Sequence, residues 1–147
     1  MTTKPKVFYT ATATATGDGR NGHVATDDAL LDLDLATPKP FRQAERTNPE
    51  QLFAAGYAAC FNSAIGQAAK QLKVKVQDST VTGKVGIGPL GLTGGFGLAV
   101  TLEVHVVGVV GVDDETARRV ADKAHEVCPY SNATRGNIPV EVTVTTG

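Results

Sequence analysis

Residues 48–72 read NPEQLFAAGYAACFNSAIGQAAKQL. Asn48 is a helix-capping residue type, Pro49 fits the first helical position, and Gln51 completes a capping box. The stretch predicts a helix over 49–72. It is apolar nearly all round, as expected of a central helix covered on most sides. From Gln51 to Ala69 it carries no charge, a length that invites a membrane-span reading. Gln51, Asn62, Ser63 and Gln67 interrupt that run, and most of its apolar residues are alanine. The helix is therefore expected to be buried in protein, with no membrane involved. Gly56 and Gly66 weaken a helix, so their presence predicts the close approach of another backbone.

Outward from this helix the periodicity changes. Val7 to Thr16 alternates strictly, with Thr10, Thr12, Thr14 and Thr16 on one face, and reads as a strand. Gly17 to Gly22 is rich in residues that tolerate positive φ and reads as a hairpin loop. His23 to Thr26 starts a return strand, and Leu31, Leu33 and Leu35 alternate with Asp32 and Asp34 in a third. Thr37 to Thr47, with Pro38 and Pro40, reads as a loop. Beyond the helix come a strand from Val74 to Ile87, a glycine-rich connection from Gly88 to Gly97, and a strong strand from Phe96 to Val107. Asp113 caps a second helix whose stripe is Ala117, Val120, Ala121, Ala124 and Cys128, limited by Pro129 and followed by a polar turn, Ser131 to Gly136. Val140, Val142 and Val144 mark a last strand.

The whole is read as one α+β domain over 1–147. It comprises a β-meander at 6–36, the central helix at 49–72, strands within 74–107, a helix at 113–128 and a final strand at 138–146. A chain of 147 residues buries roughly two-thirds of its unfolded surface and needs no staple to fold. With 14 basic and 15 acidic residues no basic face is implied, and nucleic acid is not an expected partner. The N-terminus, from Met1 and Thr2 onward, has no continuous apolar stretch and does not read as a secretory signal. A cytoplasmic location follows as the expectation. In such a reducing compartment the two cysteines are core residues, metal ligands or reactive thiols rather than a permanent disulfide.

Each candidate site stands beside a bland reading. Cys60, mid-helix among alanines, suits an inert core thiol. Cys128, at a helix end before Pro129 and Tyr130, suits an accessible one. His125 and Cys128 share a helical face, and with Cys60 and His23 would complete a zinc set, but structural zinc sites usually show two tight ligand pairs. Acyl transfer by a cysteine needs an imidazole beside it, and none of three histidines is marked out. The Gly88–Gly97 stretch lacks the Lys-Ser/Thr ending of a phosphate loop and leads into a strand. Arg20, at the tip of a glycine loop, is by default a solvated charge. Glu50 is by default a complement to the helix dipole.

Two segments shift this balance. Asn48 to Phe61 closely resembles the first cysteine motif of the organic hydroperoxide resistance proteins, and Cys128-Pro129-Tyr130-Ser131-Asn132-Ala133-Thr134-Arg135-Gly136-Asn137-Ile138 resembles their second. The order of the motifs, the chain length and the early glycine loop with Arg20 fit as well. The osmotically induced branch of the OsmC-like superfamily shares the architecture, but the Cys-Pro-Tyr-Ser-Asn-Ala segment favours the hydroperoxide-resistance branch. Asn21 stands where an acidic residue often follows the family's arginine.

The resemblance implies an OsmC-like intertwined homodimer with antiparallel sheets around central helices. It implies Cys60 as the peroxidatic thiol, Cys128 as the resolving thiol, and Arg20 with Glu50 as an activating pair. The implied substrates are organic hydroperoxides, including those of lipids. The implied reductants are dithiols such as lipoyl groups on proteins, and no metal or organic cofactor is called for. Such chemistry needs a thiolate, which a mid-helix apolar setting disfavours, so a cation such as Arg20 has a physical role to fill. A redox-sensing module and a non-catalytic carrier of the same fold are the rival readings.

Overall fold

In a computed structural model describing residues 3–40 and 44–147, regular structure begins only where the chain finds a strand to pair with. Met1 and Thr2, where the non-secretory reading begins, and residues 41–43 of the expected Thr37–Thr47 loop lie outside the described residues. The chain divides into two compact units, Met1–Pro49 and Glu50–Gly147.

The first unit is an antiparallel meander of β1 (Ala13–Thr16), β2 (His23–Thr26) and β3 (Asp32–Asp34). Thr16 pairs with His23, and His23 pairs with Asp34. The strand expected over Val7–Thr16 is thus shorter than its alternation suggests. Alternation chooses faces, but a strand also needs a partner for its backbone groups, and β2 offers only four residues. Val7, Phe8 and Tyr9 lie outside β1 with their side chains exposed. Between β1 and β2 the expected loop holds a single 3₁₀ turn, Gly19–Asn21. Gly17 and Gly19 take φ of 83° and 51° there, a region open to glycine at little cost. The Asn21 side-chain oxygen accepts a hydrogen bond from the Thr37 backbone N–H at 3.1 Å, which ties the turn to the chain beyond β3.

The second unit packs helices on a sheet. Helix α1 (Pro49–Gln71) leads into β4 (Val76–Pro89) and β5 (Phe96–Gly108), a long antiparallel hairpin with Pro89 opposite Phe96. Helices α2 (Asp114–Val127) and α3 (Pro129–Thr134) follow, and β6 (Val140–Thr146) closes the chain. Strand β6 runs parallel to β5, with Val100 opposite Val140, so this sheet is mixed where antiparallel sheets are expected. The reason lies in the connection: two helices intervene, and a helical crossover returns a strand in the same direction.

One face of β5, carrying Val100, Leu102, Val104 and Val106, is buried. Above it sit Tyr57, Phe61, Ile65 and Ala68 of α1 and Ala117, Val120, Ala121 and Ala124 of α2. Each fully buried large side chain contributes about 2 kcal/mol of apolar burial. Asp113 caps α2 by accepting the Thr116 N–H at 2.7 Å. Within the single chain Ala55, Ala59, Ser63, Gly66 and Gln67 of α1 remain exposed. Among the described residues of the single chain no other backbone closes on the two helix glycines. No heavy atom stands within 4 Å of where a Cβ on Gly66 would be, and the space beside Gly56 is taken by the Tyr130 side chain, not by a backbone. The close approach to the α1 backbone occurs at Gly83 of β4, where a Cβ would stand 2.9 Å from the Ala54 carbonyl oxygen. No helix among the described residues is long and apolar enough to cross a membrane.

Candidate active site

Cys128 sits at an elbow that its neighbours force. The residue before a proline is pushed out of the helical region, and Cys128 takes φ −65°, ψ 124°. Its N–H still bonds the Ala124 carbonyl and so closes α2, while its carbonyl accepts the Asn132 N–H and so opens α3, both at 2.9 Å. The stretch from Ser131 expected as a polar turn therefore begins within a short helix. Pro129 at its first position lacks only an N–H that would have no partner in α3. That missing N–H leaves the His125 carbonyl without its usual helical partner, and the Arg135 guanidinium donates to that carbonyl instead.

The elbow brings Cys128 Sγ to 3.6 Å from Cys60 Sγ on α1. Both are free thiols; Cys128 is buried and Cys60 is half-buried. A disulfide needs about 2.05 Å, so the sulfurs lie about one bond's adjustment from pairing. Burial pushes the Cys60 thiol above its ordinary value. A backbone hydrogen bond from Tyr130 pulls it the other way, and the Cys128 side chain adds to the rise. Taken by itself, this setting keeps Cys60 protonated.

Aromatic rings border the pair. Tyr130 stacks on Tyr57 with ring centroids 5.6 Å apart, and Phe53 meets both edge-on at 6.1 and 6.3 Å. A Cβ on Gly56 would stand 2.7 Å from the Tyr130 hydroxyl and 3.2 Å from its ring, so glycine leaves the room this ring occupies.

Beneath the rings lies a buried polar cluster. Ser131 Oγ is 2.8 Å from the Tyr57 hydroxyl and 2.8 Å from His125 Nδ1. Thr134 Oγ1 is 3.2 Å from the Tyr57 hydroxyl and donates to the Ser131 carbonyl. Tyr57, Ser131 and Thr134 are all buried. Burial, helped by the positive charge of Arg135, lowers the His125 pKa and favours its neutral form. Sequence reasoning missed this cluster. Its one trace is spacing: Tyr57 precedes Cys60 by three residues, His125 precedes Cys128 by three, and Ser131 follows it by three.

The remaining expected residues sit apart from the sulfurs or in the other unit. Glu50 lies in the first turn of α1, ten residues before Cys60, which is about 15 Å along the helix axis. Arg20 lies in the 3₁₀ turn of the first unit. The histidines weighed as zinc ligands have other partners. His23 faces Asp32 through Nε2 and Asp34 through Nδ1, both at 2.9 Å, and His125 faces Ser131.

The chain is similar to known proteins over nearly its whole length. Residues 42–143 match the family model of OsmC-like proteins. The organic hydroperoxide resistance protein of Xanthomonas axonopodis pv. citri is 49% identical over 147 residues, covering 98% of this chain and 99% of that one. A crystal structure of an organic hydroperoxide resistance protein from Elizabethkingia anophelis superposes with a TM-score of 0.87 at 50% identity, covering 97% of this chain and all of that one. That of OhrB from Bacillus subtilis superposes with a TM-score of 0.83 at 43% identity, over 93% of this chain and 98% of that one.

Proposed function

The chain belongs to the OsmC-like family, among its organic hydroperoxide resistance proteins, and from that premise we propose that it is a dithiol-dependent peroxidase acting through Cys60 and Cys128. The Cys60 thiolate attacks the distal oxygen of an organic hydroperoxide ROOH. The O–O bond breaks, a proton goes to the leaving alkoxide, and the products are an alcohol and a Cys60 sulfenic acid. The Cys128 thiol then attacks that sulfur, water leaves, and a Cys60–Cys128 disulfide forms. A dithiol such as a lipoyl group restores both thiols and is itself oxidised to a cyclic disulfide. The observation that carries the reading is the 3.6 Å separation of two free thiols. They are the chain's only cysteines.

Burial keeps Cys60 protonated, so the first step needs a cation beside it. In this reading Arg20 supplies one and a carboxylate, Glu50, holds the guanidinium. The Phe53, Tyr57 and Tyr130 rings would favour an alkyl or acyl chain over hydrogen peroxide. The free thiols fit a reducing, cytoplasmic setting.

The reading includes a homodimer in which the two units form one OsmC-like domain completed by a second copy. Phe8, Leu92 and Val110 are each more than nine-tenths exposed in the single chain, and the uncharged face of α1 is open. Exposed apolar surface of this kind marks an interface.

The test is a turnover assay comparing cumene hydroperoxide with hydrogen peroxide, with dihydrolipoamide in excess. Sustained consumption, faster with cumene hydroperoxide, is expected. Consumption that stops after one equivalent per chain, despite remaining dithiol, would identify a redox switch instead.

A further inference from the structure

We propose that Ser131 is a positioning residue whose hydroxyl, shared between Tyr57 on α1 and His125 on α2, sets the spacing of the two thiols and thereby the rate at which oxidised Cys60 is captured by Cys128. The inference rests on the peroxidase reading for its second half and on geometry alone for its first.

Ser131 Oγ links three helices. It belongs to α3, lies 2.8 Å from the Tyr57 hydroxyl of α1, and lies 2.8 Å from His125 Nδ1 of α2. Each tethered residue is three positions from a cysteine, so each lies on the same helical face or turn as a reacting sulfur. The proton inventory closes in a single direction. His125 Nδ1–H donates to Ser131 Oγ, Ser131 donates to the Tyr57 oxygen, Tyr57 donates to Thr134 Oγ1, and Thr134 donates to the Ser131 carbonyl. With the other histidine tautomer the Ser131–His125 bond reverses and Ser131 donates to Nδ1. In that tautomer three hydroxyl protons serve four contacts, so the chain of bonds is complete only with the proton on Nδ1; complete, a network whose hydroxyls are all buried fixes one arrangement of its helices.

Fixed spacing matters here because the capture step is short-range. The sulfurs must close from 3.6 Å to about 2.05 Å. Displacements of about 1 Å in a positioned pair can change a rate by about a hundredfold. Cysteine side chains rotating on backbones held at this distance can make the bond. A loosened α1–α3 contact would let the Cys60 sulfenic acid wait, and waiting in peroxide converts it to sulfinic acid.

Two measurements test the proposal. The first needs no peroxide: the Cys60–Cys128 disulfide is equilibrated against dithiothreitol, which reads how well the fold holds the thiols together. Tyr57→Phe removes one oxygen and keeps the ring stacked; Ser131→Ala removes the shared hydroxyl. Each is expected to disfavour the disulfide by about tenfold, and the double variant should lose less than the product of the two singles, because the Tyr57–Ser131 bond is broken by both. His125→Asn, which keeps a polar atom near Nδ1, should retain more of the wild-type value than His125→Leu. Val120→Ala, which opens a cavity in the α2 core and removes no polar atom, is the control: it should lower the melting temperature without moving the equilibrium.

The second measurement is the ratio of sulfinic acid to disulfide, by intact mass, after graded additions of cumene hydroperoxide. That ratio should rise in Tyr57→Phe and Ser131→Ala. The proposal is overturned if folded Tyr57→Phe and Ser131→Ala proteins match the wild type in both measurements, or if Val120→Ala shifts the equilibrium as far as they do. If the equilibrium moves as expected but the wild-type thiols resist hydroperoxide, the spacing role stands and the peroxidase reading falls.

Discussion

Cys60 and Cys128 lie 3.6 Å apart but in unequal surroundings: one is half-buried beside aromatic rings, the other sealed at the elbow. If Cys60 is the attacking thiol, Cys60→Ser lowers peroxide turnover to background. Cys128→Ser still permits one oxidation of Cys60, and excess peroxide then carries it to the sulfinic acid. Mass spectrometry after one and ten equivalents distinguishes the roles, and equal loss of the first oxidation in both variants would contradict them. A second residue-scale outcome concerns His23. The Asp34 hydrogen bond is the main cause raising its pKa, desolvation opposes the rise, and Asp32 adds to it. Because the imidazolium is favoured in the folded chain, its contribution to the meander is fully present below the ordinary value of about 6.5. That contribution fades as pH rises through the raised one. An NMR titration should therefore find the His23 midpoint above 6.5, falling back in Asp34→Asn; a wild-type midpoint below 6.5 would contradict the double-carboxylate geometry.

Arg135 shows how one element depends on another's defect. Pro129 ends α2 by withholding an N–H, and Arg135, just past α3, donates to the orphaned His125 carbonyl and to Asn132. Arg135→Ala removes a charge-assisted bond of net worth about 1 kcal/mol, which for a chain of this size lowers the melting temperature by roughly 2–4 °C. A melt unchanged within error would show that water replaces the guanidinium at no cost. The elements themselves were legible to different depths. The capping pattern at Asn48–Gln51, the stripe from Ala117 to Cys128 and the alternation of β5 are local signals, and the structure has a helix, a helix and a strand there. What could not be read needed a distant partner. Strand β1 stops where β2 runs out, β6 turns parallel because helices precede it, and Gly56 makes room for a tyrosine 74 positions away. The proximity of the two thiols was legible only through the resemblance of their motifs, since no spacing rule pairs cysteines so far apart. The Tyr57–Ser131–His125 cluster was not legible, because a hydroxyl in a sequence does not announce its acceptor.

At the scale of the whole molecule the continuity of α1 becomes decisive. Glu50 and Cys60 are both on one unbroken helix, Pro49–Gln71. Ten residues separate their backbones by about 15 Å along the axis and leave their side chains about 80° apart around it. A carboxylate in the first turn is too far from Cys60 of its own chain to steady a guanidinium resting on that sulfur. A second copy removes the difficulty if its helix start lies beside the first copy's helix middle, and the open face of Ala55, Ala59, Ser63 and Gly66 has the small side chains that a close helix contact needs. The expected site is therefore composite: Cys60 and Cys128 from one chain, Glu50 from the other. Complementation tests it. Cys60→Ser and Glu50→Ala proteins, each inactive alone, are mixed and allowed to exchange subunits. A mixed dimer then holds one site with both lesions and one with neither, so about half of the chains should end in mixed dimers and about a quarter of the wild-type activity should return. Exchange demonstrated by mass, with activity still absent, would place each complete site within a single chain and require α1 to break or bend in solution.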